Sequence, residues 1–278
     1  MSFSTKLTSF FRLLKQAIRG GEENFTEGSI DRAIFLLSVP MVLEMLMESL
    51  FAVVDIFFVS RLGDNDAIAT IGLTESVLTI IYSLAMGISM GATAMVARRV
   101  GEKDVPAAQV AAAQAIYIGV GLSLIISVVG IFFATDILHL MGASDSLIAN
   151  NSGYTRLMLC GNITIVMLFI INGIFRGAGN AAIAMRSLII SNSLNIALAP
   201  VFILMLKMGV QGAAVATMIG RGTGVVYQVY HLTKGKGLIR LNVNNLAVRW
   251  DIIWRLIKVS AGGTGQFIIA SASWIFLV

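Results

Sequence analysis

The stretch Pro40–Gly63, "PMVLEMLMESLFAVVDIFFVSRLG", decides the fold, because it is long enough to cross a hydrocarbon core and yet carries three carboxylates. A membrane-crossing helix needs about 20 mostly apolar residues. Glu44, Glu48 and Asp55 interrupt a run of Leu, Met, Phe and Val. At about 100° of rotation per residue the three acids fall within about 40° of one another, on a single helix face. An acid at the bilayer centre costs about 3 kcal/mol on insertion scales, so such groups normally face a bundle interior or a wet cavity and mark an ion or substrate path.

The rest of the chain supports a membrane reading. Hydrophobic residues make up 57% of 278 and charged residues 13%, with a mean hydropathy of +0.86, a balance far from that of soluble domains. Further apolar segments cover 67–97, 107–134, 154–175, 182–206 and 211–233 after the first at 33–60, and a seventh begins near 252. Three prolines and 27 glycines indicate long helices packed through small residues rather than the strands of a barrel. The expected fold is an all-α integral membrane protein, a six-helix bundle with a partial seventh helix. Cys160, the single cysteine, excludes an intrachain disulfide.

Before residue 33 there is no apolar core of signal-peptide length. Instead Phe3, Leu7, Phe10, Phe11, Leu14 and Ile18 form one helical stripe with Lys6, Arg12, Lys15 and Arg19 interspersed, a pattern suited to a helix lying on a membrane surface. The distribution of Lys and Arg then sets the orientation. With the N-terminus inside, sixteen of the 20 basic residues, Lys236 among them, fall on the inner side. Only Arg61, Arg156 and Lys207 fall outside, and Arg221 stays within a helix. Six crossings with a cytoplasmic N-terminus, in the plasma (inner) membrane, are expected. The net charge of +5 follows from this topology, and nucleic acid is not an expected partner. His139 and His231 lie far apart, in or beside loops, and no HExxH, GxSxG or paired-Cys pattern occurs, so an enzyme is not expected and no metal site is read.

Polar residues inside the helices share a level. Asp55, Glu75, Arg221, Asn195, Glu48 and Asn192 lie between about 5 and about 14 residues from the outer ends of their helices, as groups around a central cavity would. Structural roles compete at each position. Asp55 also suits a helix end at the interface, Glu48 and Arg221 an ion pair that locks two helices, Glu75 packing of the second helix, and Asn192 and Asn195 interhelical hydrogen bonds. Pro40 removes a backbone hydrogen bond near the inner end of the first helix and makes it a candidate hinge. Gly87 with Gly91, and Gly173 with Gly177, are GxxxG pairs that let helices approach closely.

Laying the seventh segment on the first with an offset of 222 residues pairs Ser38 with Ser260, Glu44 with Gln266 and Ser49 with Ser271. The chain therefore divides into an amphipathic tail (1–29), a six-helix lobe (30–234), a cytoplasmic linker (235–251) and the first helix of a second, incomplete lobe (252–278).

The order of features resembles the multidrug and toxic compound extrusion (MATE) transporters: Pro40 with Asp55 in the first helix, "FFVSRLG", "AIATIGL", "GISMGATAMVARRVGEKD", "GIFRGAGN" and "NIALAPVFI". The resemblance runs from about Ile30 to Val278. It implies a secondary antiporter of two six-helix lobes, expelling organic cations and drugs while protons or sodium ions enter, with no cofactor and with membrane lipid around it. In that family the Asp matched by Asp55 belongs to the cation site and the matched Pro40 bends in the switch. The family's fifth helix often reads Asn-Ile-x-Leu-Asp-Pro, and here Ala199 replaces the Asp. Glu48, Glu44 or Glu75 is then expected to supply the missing charge. The C-terminal lobe is an expected partner. The alternatives are a lipid-linked oligosaccharide flippase of the same superfamily and a non-transporting membrane-helix fragment.

Overall fold

The structure, a computed structural model, describes residues 3–21, 29–235, 237–242 and 246–277, with side chains between Phe11 and Ala270. The expectations resting on the side chains of Phe3, Lys6, Leu7 and Phe10, on Lys236 and on Ser271 lie outside the described residues. The helices are α1 (Phe3–Arg19), α2 (Ile30–Ser60), α3 (Asn65–Gly101), α4 (Val105–Leu140), α5 (Asp145–Cys160), α6 (Asn162–Gly177), α7 (Ala181–Pro200), α8 (Val210–Lys234) and α9 (Trp250–Leu277). No strand occurs among the described residues.

Short polar signals set the boundaries. Asp64 accepts hydrogen bonds from the N–H groups of Asp66 and Ala67 at the start of α3, Asp104 from Ala107 at α4, and Ser144 from Leu147 at α5, each satisfying donors the first turn leaves free. Two boundaries differ from the sequence reading. The residues 136–140, expected in a connection, continue α4 as far as Leu140, and the turn to α5 passes through Gly142 at φ +83°. The span expected at 154–175 begins at Asp145 and breaks at Gly161. Asn162 seals the break: its amide donates to the carbonyls of Leu159 at 2.6 Å and Ser123 at 3.1 Å and to the Ser127 hydroxyl at 3.1 Å, so the freed backbone is tied to α4.

Four stretches are long and apolar enough to cross a membrane by length and composition: Asn65–Gly101, Val105–Leu140, Asp145–Gly177 and Ala181–Met205. α2 and α8, the other two expected spans, are not among them; the ion pair Glu48–Arg221 joins these two helices. Large apolar side chains such as Met45, Val53, Ile125 and Phe132 are more than half exposed, a surface suited to lipid. α6 runs through the centre, with Leu168, Ile170, Ile171 and Ile174 wholly buried. Its Gly173 and Gly177 lie against α3, where an added Cβ would come 2.4 Å from the Ser89 carbonyl oxygen and 2.6 Å from that of Thr93. Hydroxyls stitch the seam, Ser89 donating to the Phe169 carbonyl at 2.7 Å and Thr93 to that of Gly173 at 2.9 Å. Gly87 and Gly91 face α9, at Thr264 and Ser260. Both GxxxG pairs thus mark close helix contacts.

The segment before α9 is docked rather than loose. The Gln114 side chain donates to the Ala247 carbonyl and accepts from the Arg249 N–H, both at 3.0 Å, and the Tyr117 hydroxyl donates to the Leu246 carbonyl at 2.6 Å. At the other terminus α1 packs on α2 and α7.

Candidate functional site

The acids of α2 meet two arginines from different helices. Glu48 pairs with Arg221 of α8 at 3.1 Å, and Glu44 pairs with Arg176 of α6 at 3.3 Å. Arg221 is 2% exposed and its guanidinium is enclosed by aromatic rings, with Phe51 at 4.9 Å, Phe169 at 5.9 Å and Tyr82 at 6.0 Å to the ring centroids. Ring faces and a carboxylate together offset the loss of water around a buried cation. Arg176 is held from its other side by the Ser89 hydroxyl at 3.1 Å.

These two pairs neutralise Glu44 and Glu48 and leave two further acids. Asp55 is buried and its Oδ1 has no hydrogen-bond partner among the described residues. Glu75 of α3 is half-buried and lies within electrostatic range of Arg221, Asp55 and Glu48. Glu48, Asp55 and Glu75 therefore share one arginine, Glu48 in direct contact and the other two within its electrostatic range. Tyr154 of α5, wholly buried, lies within electrostatic range of Asp55 and Glu75.

The asparagines sit beside this cluster without joining it. Asn192 donates to the Met47 carbonyl at 2.9 Å, gripping α2 one residue before Glu48, and Asn195 donates to the Thr217 hydroxyl of α8 at 3.2 Å. Both keep an Oδ1 with no partner among the described residues. Pro40 is buried and α2 continues through it as helix. Ala199 is wholly buried, and after Pro200 the chain turns as a π-helix over Val201–Met205, a departure from regular helix that is frequent at functional sites.

Sequence reasoning counted Arg176 among the basic residues of the inner rim, whereas its side chain reaches Glu44 across 132 residues of chain. No local signal announces that pairing. The aromatic cage of Arg221 was likewise silent, since Phe51, Tyr82 and Phe169 come from three helices. The π-turn had a signal in Pro200.

Among the described residues this helical bundle holds more acid within its helices than its arginines pair with, a pattern that in membrane proteins marks an ion or substrate path. The MatE family pattern matches residues 40–201, and the chain belongs to that family. It is similar to the multidrug export protein MepA of Staphylococcus aureus (strain bovine RF122 / ET3-1), 26% identical over 84% of this chain and 52% of MepA. It is also similar to the outward-facing structure of a multidrug resistance MATE family transporter of the MOP superfamily, with a TM-score of 0.84 and 28% identity over 91% of this chain and 56% of that one. The inward-facing structure of such a transporter matches with a TM-score of 0.76 and 26% identity, over 87% of this chain and 56% of that one. The chain spans about half the length of the curated relatives it matches.

Proposed function

We propose that this chain supplies one lobe of a multidrug antiporter in the plasma membrane, with its N-terminus cytoplasmic, and that it exports organic cations in exchange for protons or sodium ions. The charge pattern of the lobe carries this reading. Glu44 and Glu48 each have an arginine, whereas among the described residues Asp55 is a buried acid with no arginine in ion-pair contact. Burial favours the neutral form of a carboxylic acid and a nearby cation favours the ionised form. A proton or metal cation and an organic cation therefore oppose each other at Asp55, with Glu75 as the second acid. That opposition is the requirement of antiport. Glu48 holds Arg221, Arg221 sets the field at Asp55 and Glu75, and Pro40 is the hinge through which α2 responds.

Arg221 and Arg176 are each paired with a carboxylate, so a lobe that carried an anionic lipid-linked sugar would need cations from elsewhere. This favours export of cations over the flippase reading. The test uses the two-lobe transporter in vesicles carrying a pH-sensitive dye, with and without sodium. Asp55→Asn should abolish substrate-driven ion movement while the protein inserts normally. Full coupling in that variant would remove Asp55 from the mechanism.

A further inference from the structure

Outside the acidic cluster the structure holds a cavity of about 280 Å³ at the opposite, inner end of the bundle. It opens where the end of α1, the α6–α7 turn, the end of α8 and the segment 237–239 meet. Its polar side chains among the described residues are Arg19, Arg186, His231 and Asn180, with no Asp or Glu among them. Elsewhere in this lobe Arg221 and Arg176 are paired with acids, so a cavity with two arginines and no carboxylate among its described lining residues is unlike the transport cluster.

The cavity is a built feature. Arg186 of α7 donates from Nη2 to the Ile18 carbonyl at 3.3 Å and to the Arg19 carbonyl, so it caps the C-terminal end of α1, where free carbonyls favour a cation. The rest of its guanidinium fork remains for a ligand. Gly20 takes φ +63°, and an added Cβ there would lie 2.3 Å from the Ala182 Cβ. Only glycine allows that approach, and it seats α1 directly on the start of α7. The His231 ring is fixed between Tyr227 at 4.6 Å and Tyr230 at 5.6 Å. Among the described residues neither Arg19 nor Arg186 has a carboxylate partner. Beside the opening, α1 exposes Phe11 and Ile18 with Arg12 and Lys15 on the same helix, the make-up of a helix at the level of lipid headgroups.

We propose that this cavity binds a phosphate-bearing anion, either the headgroup of an anionic phospholipid or free phosphate, between Arg19, Arg186 and His231. Occupation would tie α1 to α7 and α8 across the inner face. The site is separate from the transport cluster and does not depend on the antiport reading.

The test is lipid retention by the intact 278-residue chain, purified in detergent, offered phosphatidylglycerol or phosphatidylcholine in mixed micelles and read by native mass spectrometry. Phosphatidylglycerol should be preferred. Arg19→Gln should reduce its retention about fivefold, and Arg19→Gln with Arg186→Gln about 25-fold, from about 1 kcal/mol per basic group at an anionic surface. Arg12→Gln with Lys15→Gln removes the same charge from α1 away from the cavity and should reduce retention less than the Arg19→Gln, Arg186→Gln pair does. Competition by millimolar inorganic phosphate identifies free phosphate as the ligand, and phosphatidylglycerol retention unaffected by it identifies the lipid headgroup; either supports the site. No preference for phosphatidylglycerol over phosphatidylcholine together with no binding of inorganic phosphate overturns it. Equal losses in the two double variants overturn it as well. Circular dichroism of each variant separates loss of binding from loss of α1.

Discussion

Arg221 is the residue on which the buried charge depends. Removing it leaves Glu48, Asp55 and Glu75 together without a cation, so Arg221→Met should destabilise the lobe by about 3–5 kcal/mol, the range for breaking a buried ion pair. Glu48→Gln added to Arg221→Met should recover part of that loss. The apparent unfolding temperature in detergent, taken round the double-mutant cycle, measures the coupling, and a coupling near zero would show that the pair contributes nothing. Asp55 behaves in the opposite way. Its carboxylate has an unpartnered oxygen, so Asp55→Asn should unfold no earlier than the parent chain, because a neutral amide is easier to bury than an unpaired charge. A stability penalty above about 2 kcal/mol would show instead that Asp55 is ionised and paired. The acids on one stripe of α2 were legible from spacing alone. Their partners were not, because Arg176 and Arg221 lie 132 and 173 residues away.

At the level of the helices, close packing rests on glycines whose surroundings differ sharply. Gly173 and Gly222 both sit inside helices. At Gly173 an added Cβ meets the Ser89 backbone at 2.4 Å, whereas at Gly222 it meets only a Thr164 methyl at 3.6 Å. Gly173→Ala should therefore destabilise by about 1–3 kcal/mol through overpacking. Gly222→Ala should be neutral or stabilising by up to about 1 kcal/mol, the gain in helix propensity. Thermal unfolding of the two variants side by side checks this, and equal effects would mean that α3 and α6 are not in contact. The glycine spacing gave the existence of close contacts. It did not give their partners, since one pair faces α3 and the other faces α9.

Across the whole molecule, α9 is the element whose placement tests the described architecture. It lies along α3, with Gly91 against Ser260 and an added Cβ at Gly263 at 3.2 Å from Met90 Sδ. In a Cys160→Ser background the pair Met90→Cys and Gly263→Cys should form a disulfide, since an added Gly263 Cβ would lie 3.5 Å from the Met90 Cβ, within the range such a bond requires. Adding Gly91→Leu should suppress it by pushing α9 away. Crosslinking read by gel mobility checks both, and a disulfide that survives Gly91→Leu would show that α9 is held by other contacts. The tied segment 246–249, anchored through Gln114 and Tyr117, sets where α9 starts, a role its sequence alone does not display.

By itself the sequence determined that the chain is a helical membrane bundle, where most helices begin and end, and that one face of its first long helix carries acid. These follow from local physics: apolar runs of bilayer length, capping residues and 3.6-residue periodicity act over a few turns. Only the tertiary structure decided which acids are neutralised, which glycines touch which helix, that the fourth span is broken at Gly161, and that α1 closes over a cationic cavity. Those features depend on groups brought together across tens to hundreds of residues, and the energy of a buried charge or an added methyl is set by whatever the fold places beside it.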